Sequence, residues 1–180
     1  MKNIVFTYGL IAGAIVSIWL VVALAIGMDN LGGDMGMVYG FSAMIIAFAF
    51  IFIAIKKYRE QHDDLITFPK GFMIGLYISL VASTIYVVTW LISYYYFVPD
   101  FTEVYTSHVL EQLKHDGASA AELAKKTAEM EQFKEMYKNP LVVILYTYIE
   151  ILPVGLLISL ISAAILKRNE RRTANQVTGS

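Results

Sequence analysis

A single carboxylate interrupts otherwise uncharged apolar sequence in this chain. Glu150 lies within the run Leu141 to Leu166, about ten residues from its start and so about 15 Å along a helix. A charge at that depth of a bilayer costs about 2.5–3.5 kcal/mol on insertion scales, so the group must be protonated, paired or in contact with water. Pro153 follows three residues later and cannot donate to the carbonyl of Ile149, which leaves that carbonyl free at a helix kink. With Gly155 the segment Glu150-Ile151-Leu152-Pro153-Val154-Gly155 combines an acid, a freed acceptor and a small residue. That combination suits a proton- or cation-responsive site. It suits better a neutral glutamic acid that hydrogen-bonds neighbouring hydroxyls and fixes helix register. Ser79, Ser83, Tyr86, Trp90 and Ser93, at steps of four, three, four and three, form one helical stripe that could supply them.

Other reactive side chains form smaller groups. His108, Glu111 and His115 share one face of a helix at a spacing compatible with metal binding, but no fourth ligand is evident and no metal is expected. His62-Asp63-Asp64 is a second small cluster. The chain has no cysteine, which excludes disulfides, thiolate catalysis and iron–sulfur clusters. It has no phosphate-binding loop, nucleotide glycine fingerprint or serine nucleophile elbow. Without paired carboxylates or a nucleophile–base arrangement, neither an enzyme nor a cofactor is expected.

These residues sit in a sequence that is 57% hydrophobic and 16% charged, whereas soluble proteins average about a quarter charged. Four apolar runs are long enough for a bilayer core of about 30 Å: 4–28, 37–55, 72–98 and 141–166. Only Glu150 breaks them with an acid or base. The expected class is all-α: one domain over 1–180, an integral membrane four-helix bundle. The first run ends near Ala23-Leu24-Ala25, which resembles a signal cleavage site, but it exceeds the usual apolar core of about 7–15 residues and reads as an uncleaved helix. Lys2, Lys56, Lys57, Arg59, Lys70, Lys167, Arg168, Arg171 and Arg172 fall on one side with only four acids, net +5; the other side carries ten acids, Asp29 and Asp34 among them, and five lysines, net −5. The positive-inside rule then puts both termini and the tail 167–180 in the cytoplasm, and residues 99–140 in the periplasm. Topology accounts for the basic residues, so nucleic acid is not an expected partner. Tyr94, Tyr95, Tyr96, Tyr146 and Tyr148 would anchor the outer interface.

Between Pro99 and Pro140, Phe101, Tyr105, Val109 and Leu113 recur every four residues, then Asp116-Gly117 breaks the pattern. Ser119-Ala120-Ala121-Glu122 has the form of a capping box, and Leu123, Thr127, Met130, Phe133 and Tyr137 continue a second stripe. Two helices, 100–115 and 119–138, are therefore expected to form an extramembrane hairpin. Its apolar faces should pack within the chain on the ordinary logic of amphipathic helices. Small residues four apart (Gly9, Gly13, Ser17; Gly71, Gly75, Ser79; Gly155, Ser159, Ala163) mark close helix packing. The first two sets open runs of the same direction, which suggests two parallel repeats of two helices.

Lys138-Asn139-Pro140, Glu150-Ile151-Leu152-Pro153-Val154-Gly155 and Leu160-Ile161-Ser162-Ala163-Ala164-Ile165-Leu166-Lys167-Arg168 resemble the signature of domain-of-unknown-function family 4199, small uncharacterised proteins of bacterial inner membranes. Thr67-Phe68-Pro69-Lys70-Gly71-Phe72 and Pro99-Asp100-Phe101 are similar to the same pattern. The resemblance implies the four-helix layout and carries no activity, substrate or cofactor. The functional expectation is a non-enzymatic accessory or scaffold subunit whose hairpin or helix faces contact another envelope protein or a second copy. The alternative is a small transporter or proton-responsive component using Glu150.

Overall fold

A computed structural model describes residues 1–26 and 34–168, with the side chains of 34–37 outside the description. Among the described residues the chain is all-helical. The elements are α1 (Lys2–Ile26), α2 (Asp34–Glu60), α3 (Phe68–Tyr96), α4 (Phe101–His115), α5 (Ala120–Tyr137) and α6 (Pro140–Leu166). Four of them, α1, α2, α3 and α6, are long and apolar enough to cross a membrane. The helices outrun the apolar runs: α2 continues through Lys56, Lys57 and Arg59 to Glu60, because Lys, Arg and Glu propagate a helix well. The turn containing Asp29, the side chain of Asp34, and Glu170, Arg171 and Arg172 lie outside the described residues.

α3 packs along both α1 and α6, α2 packs along the same two, and α2 meets α3 between them. Phe48, Ile51 and Ile55 of α2, Ile74 and Ile78 of α3 and Ile151 of α6 are fully buried. Gly9 faces Val81, Gly13 faces Ile85, and the Ser17 and Thr89 hydroxyls stand 3.0 Å apart. Both residue numbers rise together, so α1 and α3 are parallel. Gly71 faces Ala163, Gly75 faces Ser159, and Gly155 faces Ser79. Here one number rises as the other falls, so α3 and α6 are antiparallel. Gly75 and Gly155 each receive the serine of the opposite helix, and Gly71 receives an alanine.

The two small-residue stripes consequently do different jobs. Gly9 and Gly13 receive the branched side chains of α3, whereas Gly71 and Gly75 receive small residues of α6 with Ile51 and Ile55 of α2 beside them. Equivalent repeats would have turned both stripes toward their own following helix. The repeat expected from sequence is not reproduced in the packing, because Gly and Ser four apart signal close approach without saying to which neighbour.

At the end holding the N-terminus, Ile66 and Arg168 form an antiparallel bridge, with both backbone hydrogen bonds made at 3.1 and 2.9 Å. Lys57 lies 6.0 Å from the Tyr8 ring and Lys70 lies 5.9 Å from Tyr58. The basic ends of the long helices therefore gather on one side of the molecule.

The hairpin matches its expected bounds within a residue. The Ser119 hydroxyl accepts from the Glu122 N–H, and the Glu122 carboxylate accepts from the Ser119 N–H at 2.8 Å. These bonds hold the Glu122 carboxyl below the usual range, the backbone N–H of Ser119 first and its hydroxyl second. A carboxylate with a lowered folded value supports the helix above its unfolded value and loses that support as pH falls through the folded one. Ser119→Ala is expected to cost α5 about 1 kcal/mol. Glu122→Gln should remove the acid-side loss of hairpin protection, read by hydrogen exchange between pH 5 and 3.

The packed face of α4 departs from the expected one. Thr102 and Thr106 are buried, whereas Phe101 is half-buried and Tyr105 exposed. The stripe turns by about one residue because Phe101 and Tyr105 reach sideways into an aromatic cluster. Phe101 meets the edge of Trp90 at 4.8 Å, and Tyr105 meets Phe133 at 5.8 Å. Tyr137 joins that cluster to Tyr94 at 5.6 Å and to Tyr146 at 6.1 Å. The apolar face of the hairpin base is thus closed within the chain, as the amphipathic pattern predicts. Tyr94 enters this cluster, while Tyr95 and Tyr96 are exposed.

Candidate functional site

The hydroxyl stripe on α3 and Glu150 on α6 point to different neighbours. Ser79 donates to the Gly75 carbonyl at 2.9 Å, and Ser159 donates to the Gly155 carbonyl at 2.6 Å. Each hydroxyl spends its proton on its own helix. Their mutual distance of 3.4 Å is therefore a packing contact between two acceptors. Continuing the antiparallel register places Ser83 opposite Ile151, and the buried Ser83 hydroxyl has no hydrogen-bond partner among the described residues. Tyr86, Trp90 and Ser93 are also buried. Ser79 lies in the seam between α3 and α6, whereas Trp90, farther along the stripe, packs on Phe101 in the aromatic cluster.

Glu150 is exposed. No hydrogen bond or ion pair to it is present among the described residues. The register-fixing bond to a neighbouring hydroxyl is therefore not formed among the described residues. The helix geometry explains the placement. Val143, Thr147, Ile151, Gly155 and Ser159 form the buried face of α6, and Glu150 stands about 100° from Ile151 at 3.6 residues per turn. It shares an exposed flank with Tyr146, Pro153, Leu157 and Ile161. Pro153 sits inside a helix that continues uninterrupted to Leu166, and Gly155 is consumed by the seam against Ser79 and Phe48. The three residues grouped in sequence thus divide between an outer flank and an inner face.

Glu150 is also nearer to the hairpin than its count from Pro140 suggests. Tyr146, one turn away and so about 6 Å along the axis, belongs to the aromatic cluster. Side chains of a helix lean toward its N-terminus, which for α6 is the hairpin end. The carboxylate is accordingly within electrostatic reach of the Tyr137 and Tyr86 hydroxyls. Burial pushes Tyr137 up to about 12, opposed by its hydrogen bond with Trp90 and assisted by the charges of Glu150, Tyr94 and Tyr105. Helix α2 packs on α6 at Phe48, against Gly155. Two turns nearer the hairpin, a Cβ on Gly40 would meet nothing within 4 Å. On the hairpin side of that contact Val143 and Thr147 stay buried, while Leu145, Tyr146, Ile149 and Glu150 are exposed among the described residues.

The remaining candidates are not assembled into a site. His115 is almost fully exposed, 3.8 Å from Asp116, and among the described residues no group of three or more His, Cys, Asp or Glu could hold a metal ion. The His62 Nδ1–H donates to the Tyr58 carbonyl at 2.8 Å, and the ring stacks on the Tyr58 ring at 4.0 Å. Asp63 and Asp64 adopt left-handed backbone angles, φ 50° and 60°, as acidic turn residues tolerate. That cluster shapes the turn between α2 and α3. The flanking residues Leu157 and Ile161 were not singled out from sequence, since an α6 that is apolar on every side offers no contrast between inner and outer faces.

Residues 7–168 match the family model described as protein of unknown function (DUF4199), and the chain belongs to that family. No curated protein and no solved structure matches it.

Proposed function

We propose that this DUF4199 protein is a non-enzymatic subunit of a membrane complex, attached to its partner through the flank of α6 that carries Glu150. In this reading the four long helices form a transmembrane bundle in a bacterial inner membrane. Positive-inside charge favours both termini in the cytoplasm and the α4–α5 hairpin in the periplasm.

One observation carries the docking reading: an exposed acid on the surface of a membrane-spanning helix, with no hydrogen bond or ion pair among the described residues. Left against lipid it would cost about 2.5–3.5 kcal/mol when charged. Intramembrane acids face protein or water for that reason. The hairpin is the weaker claimant to the partner, since the apolar face at its base is already closed by Trp90, Tyr94, Tyr137 and Tyr146.

The test is the mass of the particle extracted from native membranes in a mild detergent. The wild type should run as an assembly heavier than its own 20.2 kDa chain and detergent belt. Leu157→Trp, which adds bulk to the exposed flank without entering the buried face, should release the single chain. A wild-type protein that is already a single chain in the mildest extraction would contradict the proposal.

A further inference from the structure

We propose that the helix seated on this flank carries one basic residue, lysine or arginine, at the depth of Glu150. The inference rests on the docking reading above and specifies the partner's chemistry.

Tyr146, Glu150, Pro153, Leu157 and Ile161 are exposed and follow one another at steps of four, three, four and four along α6. This is the spacing of a stripe that receives a second helix at a shallow crossing angle. Four of the five are apolar or aromatic, so their contacts are of the van der Waals kind that any membrane helix could make. Glu150 alone demands a particular group.

Charge complementarity identifies that group. A second copy of this chain would bring no cation to that depth. Its lysines and arginines all lie outside the four apolar runs, and the one ionisable group those runs hold is another Glu150. Two such carboxylates face to face repel, or must share a proton. A hydroxyl partner is also a poor account, because the described hydroxyls of the chain at this level leave Glu150 unbonded. Thr84 donates to the Leu80 carbonyl and contacts the Tyr148 hydroxyl at 2.8 Å, and Thr147 donates to the Val143 carbonyl. A basic side chain neutralises the carboxylate and donates to it, the pairing by which ionisable residues persist inside membranes.

The experiment uses the full chain in phosphatidylcholine vesicles with synthetic leucine-rich helices of about 20 residues. The peptides carry arginine, leucine or glutamate at the centre or one turn toward either end. Association is read by energy transfer from a labelled peptide to a dye on Ser107→Cys, usable because the chain has no cysteine of its own. An arginine peptide in one register should associate about tenfold more tightly than the leucine peptide. The preference should vanish in Glu150→Gln, which keeps the side-chain volume, while the thermal midpoint of the protein stays within a few degrees.

Equal binding of arginine and leucine peptides, both blocked by Leu157→Trp, would overturn the basic partner and leave the docking flank standing. An arginine preference that survives Glu150→Gln would overturn the role of Glu150. Self-association of the wild type across this flank, abolished by Leu157→Trp, would replace the basic partner with a second copy. No association with any peptide, and none with itself, would overturn both readings.

Discussion

Gly75→Leu and Gly155→Leu are each expected to lower the thermal midpoint in detergent strongly, because neither position has room for a first carbon. A Cβ on Gly75 would stand 2.5 Å from the Ser159 hydroxyl oxygen and 2.6 Å from its Cβ. On Gly155 it would meet Ser79 at 2.5 and 2.8 Å and Phe48 at 3.0 Å. Overpacking a close-packed seam costs about 1–3 kcal/mol and occasionally more, and leucine adds three further carbons beyond the one that already collides. Two controls separate this cause from others. Gly40→Ala, on the same class of helix but with open space around it, should gain about 0.5–1 kcal/mol from backbone entropy. Ser159→Ala should change little, since the serine donates to its own helix and not across the seam. If Gly75→Leu and Gly155→Leu melt with the wild type, the antiparallel pairing of α3 and α6 is wrong.

Tyr137→Ala should release the hairpin from the long helices. Tyr137 is only 7% exposed and touches Tyr94, Phe101, Phe133 and Tyr146. Its removal leaves a cavity where rings from α3, α4, α5 and α6 converge, and truncating a buried aromatic to alanine costs about 3–5 kcal/mol. The loss is local, because the α3–α6 and α1–α3 seams do not involve the cluster. Limited proteolysis should accelerate between residues 101 and 138 while the long helices stay protected. Uniform protection in Tyr137→Ala would show that the cluster does not hold the hairpin.

Tyr137 also supplies a pH signature. Its folded value of about 12 lies above the ordinary 10, so the folded state holds the phenolic proton more tightly than the unfolded one. That contribution is complete below pH about 10 and is lost as pH rises toward 12. Alkaline release of the hairpin should therefore be displaced in Tyr137→Phe, which keeps the ring and removes the titrating group.

Much of this architecture was legible because strong local signals coincide with element boundaries. Pro140 after Asn139 opens α6, with the Asn139 side chain accepting from the Leu141 N–H at 3.0 Å. Ser119 and Glu122 place the start of α5 through a pair of reciprocal bonds. The helix faces were harder. Inside an apolar environment lipid and core look alike to the sequence, so α6 shows little contrast around its circumference. Small residues give only close approach, which is how Gly9 and Gly71 came to suggest a repeat that their neighbours do not support. Glu150 could be found but not oriented. Its separation from Gly155, five residues and so about 140° around the helix, puts one on the seam and the other on the flank. That angle leaves Gly155 buried and Glu150 exposed.

The most direct measurement of the central claim is site-specific photo-crosslinking in intact membranes, with the probe at Leu157 on the Glu150 flank or at Leu145, exposed about 120° around the helix from it. The docking account predicts a discrete protein adduct from position 157, absent from position 145, and weakened by Glu150→Gln. Lipid adducts alone from both positions, or identical protein adducts from both, would contradict it.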